Sequence, residues 1–107
     1  MGRVCVPITP GGEIDGHWGR APRVVIADVE GGVVKSWQEF EVGWGDLHET
    51  DTEGGHHARI ARFLRDHEVD SVVAQGMGPG MVEMLSKMGI AVHVGASGDA
   101  RTAALAL

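Results

Sequence analysis

The chain has 107 residues, 43% of them apolar, with one cysteine and a formal charge of −6. That length suits one hydrophobic core and leaves no room for a second, so residues 1–107 are expected to form a single domain. Apolar runs such as Val24-Val25-Ile26-Ala27 and Ile90-Ala91-Val92 are a few residues long, where a membrane span needs roughly 20. The acidic balance opposes the counterion release that drives nucleic-acid binding, so neither membrane nor nucleic acid is expected as a partner. The lone Cys5 excludes an internal disulfide, and the stretch from Met1 to Val6 enters a strand-like pattern at once, without the features of a signal peptide; both fit a cytoplasmic protein.

In chain order, Arg3 to Ile8 alternates Val4, Val6 and Ile8 against Cys5 and is expected as the first strand. Thr9 to Pro22 is dense in turn residues and is expected to be a loop of real length. Arg23 to Val29 and Val33 to Phe40, separated by Glu30-Gly31-Gly32, predict a hairpin. Glu41 to Gly55 loses periodicity, becomes acidic and Gly-rich, and predicts a long surface loop. From His56 to His67, the spacing of Ile60, Phe63, Leu64 and His67 predicts a helix. Val69 to Ala74 predicts a short strand, and the turn Gln75 to Gly80 leads into a helix with Pro79 at its start, an apolar face of Met81, Met84, Leu85 and Met88, and a stop at Gly89. Ile90 to Val94 predicts the last strand, and Ser97 is the expected cap of a helix running through Leu107.

The predicted order β-β-β-α-β-α-β-α places a hairpin ahead of two crossovers and implies an α/β fold with a mixed five-stranded sheet and helices on both faces. In such sheets ligands gather beyond the carboxyl ends of the parallel strands. The loops after Ile8 and after Ala74 should therefore lie side by side.

Three segments carry residues suited to a site. His17 lies between glycines in Asp15-Gly16-His17-Trp18-Gly19-Arg20, and a neutral imidazole there is either a ligand for a transition metal or an ordinary exposed side chain. His56 and His57 open a helix, and because successive helical residues point about 100° apart, one of them is the more realistic ligand; both also read as solvent-facing residues at a helix start. The turn Gly76-Met77-Gly78-Pro79-Gly80 offers helix-start N–H groups to an anion, or is simply a tight strand-to-helix turn; no Gly-Lys-Ser/Thr follows, so it is not a P-loop. Five of the nine basic residues, Arg20, Arg23, Arg59, Arg62 and Arg65, flank these segments, which keeps a local anion site compatible with the acidic whole. Cys5 and the helical methionines read as core, His48 and His67 have no partner pattern, and His93 at the end of the last strand is a marginal site candidate.

Taken together, the motifs Ile14-Asp15-Gly16-His17-Trp18-Gly19-Arg20-Ala21-Pro22, Gly55-His56-His57-Ala58-Arg59-Ile60-Ala61 and Gly76-Met77-Gly78-Pro79-Gly80 resemble the dinitrogenase iron–molybdenum cofactor biosynthesis family nearly end to end. Trp18 stands where the family usually has Phe. The resemblance implies a ribonuclease-H-like sheet and a carrier or chaperone of a nitrogenase-type cofactor. It implies His17 as the cluster-attaching histidine, with Arg20 placed to face an anionic cluster. The leading expectation is thus a non-enzymatic carrier of an iron–sulfur or iron–molybdenum type cluster, handed on by a cluster donor or acceptor protein. His17, with His56 or His57, would serve as metal ligand, and Arg20, Gly76, Met77, Gly78 and Gly80 would form the cradle. With one cysteine the chain cannot supply four thiolates, so the cluster would arrive pre-built. Two other readings are a module binding a single Cu, Ni or Zn ion through histidines, and a Mg²⁺-dependent phosphodiester hydrolase built on Asp15, Asp28 and Asp99.

Overall fold

A strand buried on both faces must be apolar at nearly every position, and β1 (Gly2–Ile8) and β2 (Arg23–Glu30) have that character. In the computed structural model, which describes residues 2–50 and 53–107, they form the middle of an open sheet with β3 (Val33–Glu41), β4 (Ser71–Val73) and β5 (Ala91–His93). The order is β3-β2-β1-β4-β5. β1 pairs antiparallel with β2, and β2 with β3, whereas β4 runs parallel to β1 and β5 parallel to β4. The hairpin turns on Gly31 and Gly32 at φ +60° and +76°, the positive values that a two-residue turn between twisted strands demands at both positions. A register shift at Asp28 and Val29 interrupts the β2–β3 ladder near this turn.

Alternation divides the sheet into two apolar faces. Cys5, Val24, Ile26 and Val72 point to one side, where they pack with Trp44 of α1 (Trp44–Thr50), Ile60 and Leu64 of α2 (Glu53–Asp66), and Met81 and Leu85 of α3 (Pro79–Lys87). Val4, Val6, Ile8, Val25 and Val73 point to the other and pack with Ala100 and Ala104 of α4 (Ala100–Leu105). Helices therefore cover both faces, as the pattern predicted. At the end of α3 the N–H groups of Gly89 and Ile90 return to the carbonyls of Ser86 and Leu85, so Gly89 is the stop the sequence marked.

Several expectations are corrected. The segment Glu41 to Gly55, expected as a loop, holds α1 and the start of α2, and the order of elements is β-β-β-α-α-β-α-β-α; Asp51 and Thr52 lie outside the described residues. Trp44, 2% exposed, drives this: it packs edge-on to Trp18 at 5.2 Å and to Phe63 at 5.7 Å between ring centroids. Gly45 lets α1 lie this close, because a Cβ there would sit 2.9 Å from the Arg20 carbonyl oxygen. Asp99, not Ser97, caps α4, its carboxylate accepting from the Thr102 N–H and hydroxyl at 2.9 Å each. Met88 is 38% exposed and lies off the apolar face that Met81 and Leu85 bury.

Truncating Trp44→Ala should lower stability by about 3–5 kcal/mol, the usual loss for a large buried aromatic, in a urea titration followed by circular dichroism. A loss under about 1 kcal/mol would show that α1 is not part of the core.

Cys5 and Asp28 are among the ionisable groups that set the pH range of stability. Burial pushes the Cys5 thiol well above its ordinary value. Hydrogen bonds from Arg3 and then Ser36 hold the Asp28 carboxyl below its own, with the Arg3 Nε and Ser36 Oγ each 2.8 Å away. Above about pH 8.5 the unfolded chain releases the Cys5 proton that the folded chain keeps, so stability falls as pH rises. The Asp28 contribution is present above about pH 4 and is lost as pH falls through its lowered folded value. Urea midpoints should accordingly be highest between about pH 5 and 8, and Cys5 should resist alkylation until the chain unfolds.

Candidate functional site

The parallel pairing of β1 with β4 brings the two Gly-rich loops together. After β1 the chain turns back, with the Thr9 N–H on the Glu13 carbonyl, the Ile14 N–H on the Gly98 carbonyl and the Asp15 N–H on the Pro7 carbonyl. The Asp15 carboxylate then accepts the His17 N–H at 2.9 Å, a local turn that lifts His17 into an exposed position. The next residue points the other way: Trp18 is 3% exposed and packs on Trp44. The exit of the loop is fastened to the start of α1, where the N–H groups of Val42 and Gly43 bond the Pro22 carbonyl and that of Trp44 bonds the Ala21 carbonyl.

Across from this loop, the residues after β4 turn into α3. Gly78 is the N-cap with extended φ and ψ, Pro79 occupies the first turn, no side chain caps the helix and no acidic residue lies in its first turn. The cap residue and first turn thus keep the positive end of a helix dipole without a carboxylate to neutralise it. One open cavity of about 430 Å³, within the size range of small-ligand sites, is lined by His17, Arg20, His56, His57 and the whole run Gly76 to Gly80. All the residues expected from the sequence as metal- or cofactor-binding line it. Among the described residues no carboxylate side chain does so, although the chain carries 15 acidic residues.

The adjacent histidines have different environments. His56 is 1% exposed, with Nε2 2.6 Å from the Gly19 carbonyl oxygen and Nδ1 3.1 Å from the Arg59 guanidinium. A neutral ring that donates from Nε2 and accepts at Nδ1 satisfies both contacts. Through these contacts His56 ties the start of α2 to the His17 loop while also lining the cavity. His57 is half-buried at the cavity wall, its Cε1 3.6 Å from where a Cβ on Gly80 would lie, so the imidazole sits within ordinary contact distance of the first turn of α3. Helical spacing does not separate the two: His56 precedes Ile60 by four residues, while His57 precedes Ile60 by three and Leu64 by seven, and both of those are fully buried.

The expected basic flank is only partly present. Arg20 lines the cavity, but Arg23 pairs with Glu41 at 2.7 Å and Glu39 at 3.6 Å, Arg59 supports His56, and Arg65 lies 3.7 Å from Asp66. His67 packs between Phe40 and Phe63, and the side chain of His48 lies outside the described residues. His93 is exposed on β5.

The three aspartates proposed for a hydrolase do not converge. Asp28 is bound by Arg3 near the opposite end of β1 from the Pro7 carbonyl that holds Asp15, about 13 Å away at the rise of a strand. Asp99 caps a helix. Among the described residues no group of three or more His, Cys, Asp or Glu side chains is arranged to hold a metal ion.

A family model described as dinitrogenase iron-molybdenum cofactor matches residues 2–107. The chain belongs to this family. No curated protein matches it. Among solved structures, the crystal structure of PH0822 is 26% identical with a TM-score of 0.77, the match covering 97% of this chain and 88% of that one. The NMR structure of a putative NifB protein from Thermotoga is 22% identical with a TM-score of 0.70, over 97% and 84% of the two chains. The apo form of the orange protein from Desulfovibrio gigas is 21% identical with a TM-score of 0.77, again over 97% and 84%. The last two bear on the fold alone. For this iron–molybdenum cofactor family member, no described helix is long and apolar enough to cross a membrane.

The two histidines should separate experimentally. His56→Ala should cost about 2–4 kcal/mol in urea unfolding, from the cavity and the unpaired Gly19 carbonyl, and His57→Ala clearly less. Equal losses would contradict the assignment of His56 as the residue that holds the loop.

Proposed function

We propose that this family member is a non-enzymatic carrier of a pre-built anionic cluster of the iron–sulfur or iron–molybdenum type. The observation that carries the reading is the meeting of His17, His57, Arg20 and the uncapped start of α3 at one cavity with no carboxylate side chain among its described lining residues. The donor set suits such a cargo. Imidazole is a ligand for iron and other borderline metals, Arg20 and helix-start N–H groups favour negative charge, and Gly76, Gly78 and Gly80 let a bulky ligand approach the backbone. Cys5 is fully buried in the core and does not line the cavity, so the chain offers no thiolate there and suits receipt of an assembled cluster from a donor protein.

The family supports a link to the iron–molybdenum cofactor, and the similar Desulfovibrio gigas structure is the apo form of the orange protein. The strand order β3-β2-β1-β4-β5 agrees with reading the sheet as ribonuclease-H-like. In this reading His17 is the anchoring ligand, His57 a second ligand from the opposite wall, and Arg20 and the turn Gly76 to Gly80 the counter-charge.

Anaerobic reconstitution with iron, sulfide and molybdate, followed by absorption spectra and metal analysis, tests this. Wild type should take up about one cluster per chain, and His17→Ala should bind at least about tenfold more weakly, a difference of about 1.4 kcal/mol. If both proteins retain the same small amount of metal, the carrier reading is wrong. Uptake of one metal ion per chain without sulfide would instead favour a single-ion site.

A further inference from the structure

A glycine serves either backbone freedom or space, and Gly16, one residue before His17, serves space. Its φ lies outside the left-handed region, so the backbone does not call for glycine there, yet a Cβ would come within 2.9 Å of the Gln75 Oε1. Of the glycines that line the cavity it alone lacks room for a side chain. Nothing lies within 4 Å of a Cβ on Gly19, Gly76 or Gly78, and the nearest atom to one on Gly80 is 3.6 Å away. Gln75 is the residue before the turn Gly76 to Gly80, so its side chain lies against Gly16 at the corner where the two Gly-rich walls of the cavity meet.

The backbones on both sides of this corner are tied to one segment, the chain after β5. The Gly95 N–H donates to the Gln75 carbonyl at 2.9 Å, and the Gly98 carbonyl accepts the Ile14 N–H at 2.8 Å. The rest of the His17 loop is fastened toward α1 and α2, through the Trp18 ring and the Gly19 and Ala21 carbonyls. The contact of Gln75 with Gly16 is the corresponding hold on the side of the turn into α3.

We propose that Gln75 is a positioning residue for the anion carried in this cavity: by resting on Gly16 it sets the spacing between His17 and the Gly76 to Gly80 turn, so that both walls grip one ligand. The proposal rests on the carrier reading above. A site already held at its bound spacing loses less freedom on binding, and the difference appears as affinity. Gln75 is not itself among the lining residues, so it acts through the loop and not on the ligand. Its amide is neutral, and it fills the corner without bringing a carboxylate to a cavity that has none among its described lining residues.

The test uses the full chain as wild type, Gln75→Ala, Gly16→Ala, the double variant, Gln75→Met and His17→Ala, each reconstituted anaerobically with iron, sulfide and molybdate. Gln75 is exposed, so Gln75→Ala should leave the urea midpoint of the empty protein unchanged. Its cluster affinity should fall about fivefold, Gly16→Ala should lose as much by displacing the same side chain, and the double variant should lose no more than either, because both changes break one contact. Gln75→Met, of similar length and without the amide, should bind within about twofold of wild type. With no cluster present, the His17 backbone N–H resonance should move in Gln75→Ala and stay near its wild-type position in Gln75→Met. Wild-type affinity in Gln75→Ala overturns the proposal, as do losses that add in the double variant or a His17 resonance that Gln75→Ala leaves in place. Binding by Gln75→Met as weak as that of Gln75→Ala overturns it too, since the amide and not the length would then be at work. Should Gly16→Ala fail to fold, the two Gln75 variants decide by themselves. If wild type binds no more cluster than His17→Ala, the carrier reading has failed and the role of Gln75 with it. If His17→Ala loses binding and Gln75→Ala does not, only the role of Gln75 has failed.

Discussion

Because β1 and β4 lie side by side and run in the same direction, the chain leaves both strands at the same end of the sheet, and the segments that continue from them must share that space. Those segments are the His17 loop and the Gly-rich turn into α3. The antiparallel hairpin on the other side of β1 leaves this end uncovered, and α2 approaches from the Cys5 face to bring His56 and His57 to the same place. Three segments far apart in sequence therefore meet without any long-range contact designed for the cavity alone. The strand pairing that builds the core also builds the site.

The His17 loop is held by packing more than by its own hydrogen bonds. Trp18 and Trp44 bury their rings together, His56 binds the carbonyl between Trp18 and Arg20, and the N–H groups of Val42, Gly43 and Trp44 bind the two carbonyls after Arg20. The loop's side chains consequently divide, with Trp18 buried and His17 and Arg20 exposed at the cavity. A loop fastened at this many points presents its side chains in one arrangement, which lowers the ordering cost of gripping a ligand. The same fastening explains why α1 exists at all.

Much of this was legible in the sequence, and the failures share a cause. The hairpin, the apolar stripe of α2 and the Pro79 to Gly89 helix are written in local patterns, namely paired glycines, a 3.6-residue period and a terminal glycine. The convergence of the loops after Ile8 and Ala74 followed from element order. By contrast α1 has Gly43, Gly45 and Asp46 around its start and only Trp44 and Leu47 as apolar anchors. Its local propensity is poor, and tertiary burial of Trp44 decides the matter. Asp28 looked like a catalytic carboxylate because a sequence does not show Arg3 across the strand pair. Of the two histidines, the rotational setting of α2 puts one in the core and one at the wall, and Ile60 and Leu64 fix that setting.

The register shift at Asp28 and Val29 has a consequence for how copies of this chain meet in a crowded solution. β3 is the long outer strand of the sheet, nine residues with one side lacking a neighbour among the described residues, which is the shape that templates aggregation. Here the ladder is irregular at one end, and the strand carries Lys35, Glu39 and Glu41, the two glutamates facing Arg23 of β2. β5, at the opposite margin, is only three residues long. An incoming strand would meet charge and distortion on one side and too short a template on the other, so the open sheet is guarded against growing into a fibre.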